Sequence, residues 1–172
     1  MKWEKELEIE APIEVVWNLF DEANPQRVMP KVDTNEWIVK NDPLTGSSYT
    51  QTYREGKRTE SYLVTIEEFI DEPDYKKKTI QFILANLFET KLTFEMEKMT
   101  ERETRFRYIG SNEGINFTGK MMLKLGKKQE NGGPVVEEFI QRVKREAEKD
   151  ARGGEPPEIS TSTDESTREI GS

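Results

Sequence analysis

The sequence predicts an α+β domain in which a curved antiparallel sheet of six to seven strands wraps around one long C-terminal helix. Segments in which apolar and polar residues alternate follow one another from residue 32 to residue 110, which is typical of an antiparallel sheet with one buried face. A strand and two short helical segments come before them, and an amphipathic helix comes after them. A sheet and a helix that are each apolar on one side bury those sides against each other.

The helix predicted at residues 134–150 is the element around which the strands are arranged. One apolar stripe recurs along it at intervals of four, three and four residues: Val136, Ile140, Val143 and Ala147. Pro134 suits the first helical position. About 17 residues would extend about 25 Å, which is enough to cross a small sheet. We therefore expect the strands to curl around this helix.

The composition excludes several kinds of chemistry. The chain has 172 residues, enough for one domain with a substantial core, and it has no cysteine and no histidine. Disulfides, thiolate nucleophiles, Cys/His zinc sites and imidazole acid–base catalysis are therefore excluded. The spacing of a calcium-binding loop is absent from the sequence, so we expect neither a metal nor a cofactor.

The charge and the N-terminus indicate where the protein works. The net charge of -8 disfavours a nucleic-acid-binding protein, because binding to phosphates requires a dense basic face. The first residues alternate in charge and lack the apolar region of a signal peptide, and no apolar run approaches the length of a membrane span. We expect a soluble cytoplasmic protein that inserts into no membrane and binds no nucleic acid.

The first strand and the two short helices are predicted from spacing and from proline. Apolar residues alternate with charged ones over residues 2–10, which favours a half-buried strand. Pro12 suits the start of a helix, and apolar residues at helical spacing continue it to about Leu19. A second helical turn begins at Asn24-Pro25 and ends before Pro30, because the residue before proline avoids the helical region.

The central strands follow from an alternating pattern. We expect them at residues 32–40, 47–54, 58–70 and 76–84. A hairpin with Glu55-Gly56 as its two-residue loop joins the second and third of them, and it would place Tyr49 opposite Tyr62. Phe69 is out of phase with the rest of its strand, so we expect a β-bulge near Glu67-Glu68.

Residues 88–97 and 104–110 show the clearest alternation in the chain. The register that satisfies both of their faces pairs Phe94 with Tyr108, Met96 with Phe106, Glu95 with Arg107 and Glu97 with Arg105. A shift by one residue would move every apolar side chain to the charged face. We therefore expect this register.

The segments around the last helix carry weaker signals. Asn112 and Gly114 favour a loop, and residues 117–128 favour a short helix. The end of the chain is acidic and rich in Ser and Thr, and it has few large apolar residues to bury. We therefore predict a folded domain at residues 1–151 and a disordered tail at residues 152–172.

The segment Ile9–Phe20, IEAPIEVVWNLF, resembles the opening signature of the SRPBCC superfamily, which includes the START and birch-pollen-allergen-like proteins. In that signature a strand gives way at Ala-Pro to an apolar helix carrying Val-Trp. Met29-Pro30, the segment GSSY at 46–49 and the Lys/Glu-rich closing helix match as well, so the resemblance covers about residues 3–150 and is nearest the polyketide cyclase/dehydrase-like branch. It implies a helix-grip fold with a cavity for lipids, hydrophobic metabolites or aromatic polyketides, entered between the last helix and the loops.

The inward-facing residues are the candidate binding site. If the sheet curls around the helix, they share one interior, in which tyrosine and glutamine supply polar groups to an apolar surface. The candidate ligand-binding residues are Tyr49, Gln51, Tyr53, Tyr62, Val64, Phe82, Leu92, Phe94, Met96, Tyr108, Met121, Met122, Leu125, Phe139 and Val143. The plainer interpretation of each position is ordinary core packing.

The sequence leaves three functions open. The first is non-covalent binding of a hydrophobic small molecule, either a lipid or an aromatic, polyketide-like metabolite. The second is a cyclase or dehydratase that uses tyrosine and carboxylate groups such as Glu60, although no motif identifies its catalytic residues. The third is a protein-interaction domain, since activators of the heat-shock chaperone ATPase share the fold; an exposed apolar patch would favour it. The sequence does not indicate an oligomeric state.

Overall fold

The computed structural model describes residues 1–126 and 130–153, in which seven strands and three α-helices lie. The strands are β1 (Lys2–Ile9), β2 (Val32–Val39), β3 (Ser48–Glu55), β4 (Arg58–Asp71), β5 (Tyr75–Leu84), β6 (Phe88–Thr100) and β7 (Glu103–Gly114). The helices are α1 (Ile13–Asn18), α2 (Phe117–Leu125) and α3 (Gly133–Gly153). Short 3₁₀ turns lie at Pro25–Arg27 and Glu130–Gly132.

The strands form one curved antiparallel sheet in the order β1-β7-β6-β5-β4-β3-β2. The helix α3 packs against β1 and α1. It does so through the predicted stripe: Val136, Ile140, Val143 and Ala147 are its buried residues. The predicted α+β class and the sheet wrapped around a C-terminal helix are therefore confirmed. None of the helices described here combines the length and the apolar character that a membrane crossing requires.

Two details of the predicted sheet are confirmed. The strands β6 and β7 pair in the predicted register, and ion pairs link Arg107 to Glu95 at 2.7 Å and Arg105 to Glu97 at 3.1 Å on the outer face. The register of β4 with β5 shifts between residues 66 and 68, which is the expected bulge.

The predicted register of the β3–β4 hairpin is wrong. The last pair is Glu55 with Arg58, so the loop is Gly56-Lys57 and not Glu55-Gly56. Gly56 has a φ of 63°, a backbone conformation that glycine adopts readily, and it occupies the first position of the loop. As a result Tyr49 lies opposite Val64 and Tyr62 lies opposite Gln51.

The predicted ends of β7, α2 and α3 also need correction. The strand β7 runs to Gly114, where a loop was expected, because Asn112 pairs with Thr90 and accepts a hydrogen bond from its hydroxyl at 2.6 Å. The helix α2 ends at Leu125, since its C-cap Gly126 has an extended backbone, and residues 127–128 of the predicted helix lie outside the described residues. Since α3 continues to Gly153, two residues of the predicted tail are helical, and residues 154–172 lie outside the described part of the chain.

Candidate ligand-binding cavity

A cavity of about 560 Å³ lies between the concave face of the sheet and the first turns of α3. Side chains from β1 and from β3 through β7 form its wall, together with residues 28–32. Known small-molecule pockets span about 300–1,000 Å³, so the cavity has the size of a ligand site. Its exposed lining residues, Met1, Pro30, Lys31, Val135 and Glu138, place the opening between α3 and the loop before β2.

Aromatic rings form two parts of the wall. On one part the Tyr62 and Phe82 rings stack with their centroids 4.8 Å apart. On the other, Phe94 and Tyr108 are parallel at 5.6 Å, and Phe139 of α3 lies 4.5 Å from Tyr108. Stacked rings hold one another in fixed positions, so this surface is rigid as well as apolar.

Two groups of polar side chains interrupt the apolar surface, and the members of each are hydrogen-bonded to one another. The Tyr62 hydroxyl donates to Gln51 Oε1 at 3.0 Å, and Gln51 Nε2 donates to Asn35 Oδ1 at 3.1 Å. Thr90 and Asn112 form the pair described above at another place on the wall. These bonds fix the direction of each polar group, which is how small-molecule sites orient a ligand.

Among the residues that line the cavity, those with charged side chains all lie at the opening. They are Lys31, Glu138 and Arg142. The Arg142 guanidinium donates to the Val28 carbonyl at 3.4 Å and lies 3.4 Å from Glu138, so both of its interactions are long. An arginine held this weakly remains able to bind a carboxylate or another anionic group in a bidentate manner.

Burial raises the pKa of three tyrosines at or beside the cavity. They are Tyr49, Tyr62 and Tyr108, and for each of them loss of hydration of the phenolate is the largest cause. The pKa of each lies well above the usual tyrosine value. At neutral pH these phenols are therefore protonated, which suits them to hydrogen bonding and makes them poor proton donors.

The structure brings eight of the fifteen predicted site residues together around the cavity: Gln51, Tyr53, Tyr62, Phe82, Leu92, Phe94, Tyr108 and Phe139. Four others are buried in the core but do not line the cavity: Tyr49, Val64, Met96 and Val143. Glu60 is half-buried on β4 and does not line it either.

The prediction is wrong for the three residues of α2. Met121, Met122 and Leu125 are 37%, 51% and 77% exposed, and none of them reaches the cavity. The reason is the way α2 packs: its buried residue is Gly119, where an added Cβ would lie 2.2 Å from the Leu87 carbonyl oxygen. This close approach turns the apolar stripe of the helix outward.

Sequence reasoning missed a buried ion pair beside the cavity. Lys78 Nζ lies 2.5 Å from Glu22 and donates to the Phe20 carbonyl at 2.7 Å, and both charged side chains are less than 10% exposed. They border a second cavity of about 20 Å³, roughly the space of one water molecule, together with Tyr49 and Gln51. The alternation of β5 contained the signal, since Lys78 and Lys76 precede Ile80 at intervals of two and are buried with it.

The described residues contain no group of three acidic side chains arranged to hold a metal ion. Apart from the opening, the lining residues carry phenols, amides, a hydroxyl and the indole N–H of Trp3, which is buried without a hydrogen-bond partner in the part of the chain that the structure describes. This arrangement can bind and orient an apolar molecule that carries a few polar atoms.

Comparisons with solved structures agree with this architecture. The ZhuI aromatase/cyclase from Streptomyces sp. R1128 superposes with a TM-score of 0.66 at 13% identity, over 90% of this chain and 98% of that one. Ara h 8.0201 gives 0.61 at 15% identity, over 88% and 97% of the two chains. A START superfamily protein from Mycobacterium smegmatis gives 0.61 at 10% identity, over 88% and 97%.

No protein-family model matches the chain, and no curated protein matches it significantly. At 10–15% identity, likeness to the solved structures defines the fold and leaves the activity open. The strand order, the C-terminal helix held by the sheet and these superpositions together identify the fold as a helix-grip fold, which this chain shares with the START superfamily protein and the ZhuI aromatase/cyclase.

Proposed function

We propose that this protein binds a hydrophobic small molecule non-covalently in the cavity between the sheet and α3. The observation that carries the proposal is the cavity itself, about 560 Å³ in volume and lined mainly by apolar and aromatic side chains with a few fixed polar groups. The ligand classes that fit are a lipid and an aromatic, polyketide-like metabolite. Both would place apolar surface against the stacked rings.

The charged opening indicates how such a ligand would be oriented. Arg142 is weakly paired there, and Lys31 lies on the opposite side of the opening. A carboxylate at the end of a lipid would replace the long contacts of Arg142 with a charge-assisted bond. We therefore place the polar end of the ligand at the opening and its apolar body between Phe82 and Phe139.

The test is a binding titration with a cavity-filling variant and a matched control. Leu92→Trp adds an indole inside the cavity, whereas Leu63→Trp makes the same change at a side chain that is 54% exposed on the outer face. We expect the native protein to bind anilinonaphthalene sulfonate and to release it to a long-chain fatty acid or to a fused-ring aromatic phenol. Leu92→Trp should weaken binding about tenfold or more, since filling removes most of the buried contact area.

The outcomes distinguish the two ligand classes and also test the proposal itself. Displacement by the fatty acid alone identifies a lipid site, and displacement by the phenol alone identifies an aromatic site. Mass spectrometry of the protein after gentle purification should identify a co-purified molecule of the same class as the competitor that displaces the probe. The proposal is overturned if neither competitor displaces the probe, or if both tryptophan variants weaken binding equally.

A cyclase or dehydratase activity is the second candidate function. The observation that favours it is the hydrogen-bonded Tyr62–Gln51 pair inside the cavity, in a fold shared with an aromatase/cyclase. Because burial raises the pKa of Tyr62, its hydroxyl would stay protonated, and by exchanging its hydrogen bond to Gln51 Oε1 for one to a substrate carbonyl it would orient that carbonyl without transferring its proton. Incubation with a linear poly-β-ketone tests this candidate: the native protein should change the distribution of cyclised products, and Tyr62→Phe should restore the uncatalysed distribution.

A further inference from the structure

The helix α2 carries its apolar residues on the side that faces away from the protein. Phe117, Met121 and Leu125 follow one another at intervals of four residues, and they are 78%, 37% and 77% exposed. At 3.6 residues per turn, Met121 lies about 160° around the helix from Gly119, its buried residue. The usual arrangement of an amphipathic helix on a globular domain is therefore reversed.

This orientation is fixed by the structure and is not a frayed end. Asn116 caps the helix by accepting a hydrogen bond from the Gly119 backbone N–H at 2.8 Å. Gly119 packs on the Leu87 carbonyl and Gly114 packs beneath the backbone of Lys120, at distances that leave no space for a Cβ at either glycine. The exposed stripe cannot rotate inward without breaking these contacts.

The charge around α2 is opposite to that of the rest of the chain. Lys120 and Lys124 lie on one flank of the exposed stripe, and both are exposed. The sequence adds Lys127 and Lys128, and residues 114–129 form the longest stretch of the chain without an acidic residue. This local positive charge occurs in a protein with a net charge of -8.

We propose that α2 docks this protein on anionic lipid bilayers, with Phe117, Met121 and Leu125 in the interfacial region and Lys120 and Lys124 against the lipid phosphates. Exposed aromatic and aliphatic residues flanked by lysine are the pattern of helices that lie in a membrane interface without crossing it. Lysines near an anionic surface add attraction that salt weakens. The docking site is independent of the cavity contents, although α2 follows β7, whose Asn112 lines the cavity.

The experiment is co-sedimentation of the full-length, ligand-free chain with vesicles. We expect binding to vesicles of equimolar phosphatidylcholine and phosphatidylglycerol, weaker binding to pure phosphatidylcholine, and loss of the difference at high salt. Phe117→Ser/Leu125→Ser should weaken binding about tenfold or more. Ile38→Ser/Leu63→Ser is the matched control, because it removes two exposed apolar residues from the strands β2 and β4, away from α2, and should leave binding unchanged.

A second pair of variants tests the charge. Lys120→Glu/Lys124→Glu should weaken binding to the anionic vesicles about tenfold, whereas Lys40→Glu/Lys57→Glu makes the same change in net charge elsewhere and should have a much smaller effect. All of these positions are exposed, so the variants are expected to fold; circular dichroism verifies this. Probe binding in the cavity, measured without vesicles, should be the same in all of them, which separates failure of docking from failure of the proposed ligand binding.

Three outcomes would overturn the proposal. One is that the native chain does not sediment with the anionic vesicles. Another is that the control variants lose as much binding as the α2 variants. The third is that the native chain self-associates in size-exclusion chromatography and does not bind vesicles, while Phe117→Ser/Leu125→Ser abolishes the self-association. The exposed side of α2 would then be a protein–protein contact.

Discussion

The two ends of the concave face differ, although the same sheet and the same helix run through both. At the packed end, formed by Ile9, Val16, Phe20, Met96 and Phe106, four of these side chains are fully buried and Phe20 is nearly so. Phe20 lies 5.7 Å from the Phe106 ring and 4.7 Å from the Phe94 ring, centroid to centroid. The helix α1 supplies this filling, since it packs on α3, β6 and β7.

At the open end, formed by Tyr62, Phe82, Thr90, Leu92 and Asn112, the same strands enclose the cavity. The β6–β7 pairs change along the strands from Met96 with Phe106 to Leu92 with Gly110 and then Thr90 with Asn112. The partner of Leu92 is a glycine, and the side chains of the Thr90–Asn112 pair are small and polar. The cavity therefore arises from smaller side chains and from the position of α1 over one end only.

The largest effect on stability is expected when a phenylalanine is truncated to alanine, and the loss should differ between the two ends. Phe106→Ala should lower the free energy of unfolding by about 4 kcal/mol, because it leaves a void among fully buried neighbours. Phe82→Ala should cost only about 2 kcal/mol, because one side of its ring already faces the cavity and has fewer contacts to lose. Urea denaturation measures both, and equal losses would mean that the two ends are packed alike.

The next effect concerns the Lys78–Glu22 pair, which lies between the two ends. Lys78→Met should lower the free energy of unfolding by about 3 kcal/mol, because Glu22 would remain buried without its partner. The double variant Lys78→Met/Glu22→Leu should recover most of this loss, since replacing both charges leaves neither unpaired. Thermal denaturation of the three proteins measures the coupling. A single variant as stable as the native protein would place the pair in contact with solvent.

The sequence was sufficient to predict the frame of the sheet and the buried stripe of α3, but not which end is filled, since Met96 was expected to line the cavity. The α3 stripe and the β6–β7 register each satisfy two faces at once, so a shift by one residue would have exposed Phe94 and buried Glu95. Such patterns leave one solution. The alternating residues that line the open end look the same as core residues, so their pattern predicted that they face inward, and only the family resemblance implied a cavity among them.

Other features could not be predicted because they depend on contacts that are distant in the sequence. The rotation of α2 is set by Gly119 against the Leu87 carbonyl, and nothing in the helix itself distinguishes an inward stripe from an outward one. The buried position of Lys78 depends on Glu22, 56 residues away. Charge favours exposure on average, and only the tertiary partner overrides that preference.

A smaller effect on stability should follow from adding a side chain at Gly110. A Cβ there would lie 2.1 Å from the Trp3 ring, which covers this glycine and forms part of the cavity wall. Gly110→Ala should therefore displace the indole and cost about 1–3 kcal/mol, while the packed end is unaffected. Tryptophan fluorescence and probe binding should both change. If only stability changed, Trp3 would have no role in shaping the open end.

The tyrosines of the open end should have the smallest effect on stability at neutral pH. Their titration is nevertheless the most direct measure of how far water is excluded from the cavity. Burial raises the pKa of Tyr62 and Tyr108 above the ordinary value of 10.0. Tyr75, which is bonded to Glu95 and does not line the cavity, has its pKa raised to about 12 by burial and by that hydrogen bond, so the titration uses a Tyr75→Phe background.

Because the folded-state pKa exceeds the unfolded value, the folded chain holds these protons more tightly. Their contribution to stability is complete below about pH 10 and is lost as the pH rises through the folded-state pKa. Ultraviolet difference absorbance should therefore show these phenols ionising only as the protein unfolds in alkali, and Tyr62→Phe should remove one phenol from that delayed group. Ionisation of both near pH 10 in the folded state would mean that the cavity is hydrated like bulk solvent, and the contrast between the two ends would then lie in shape alone.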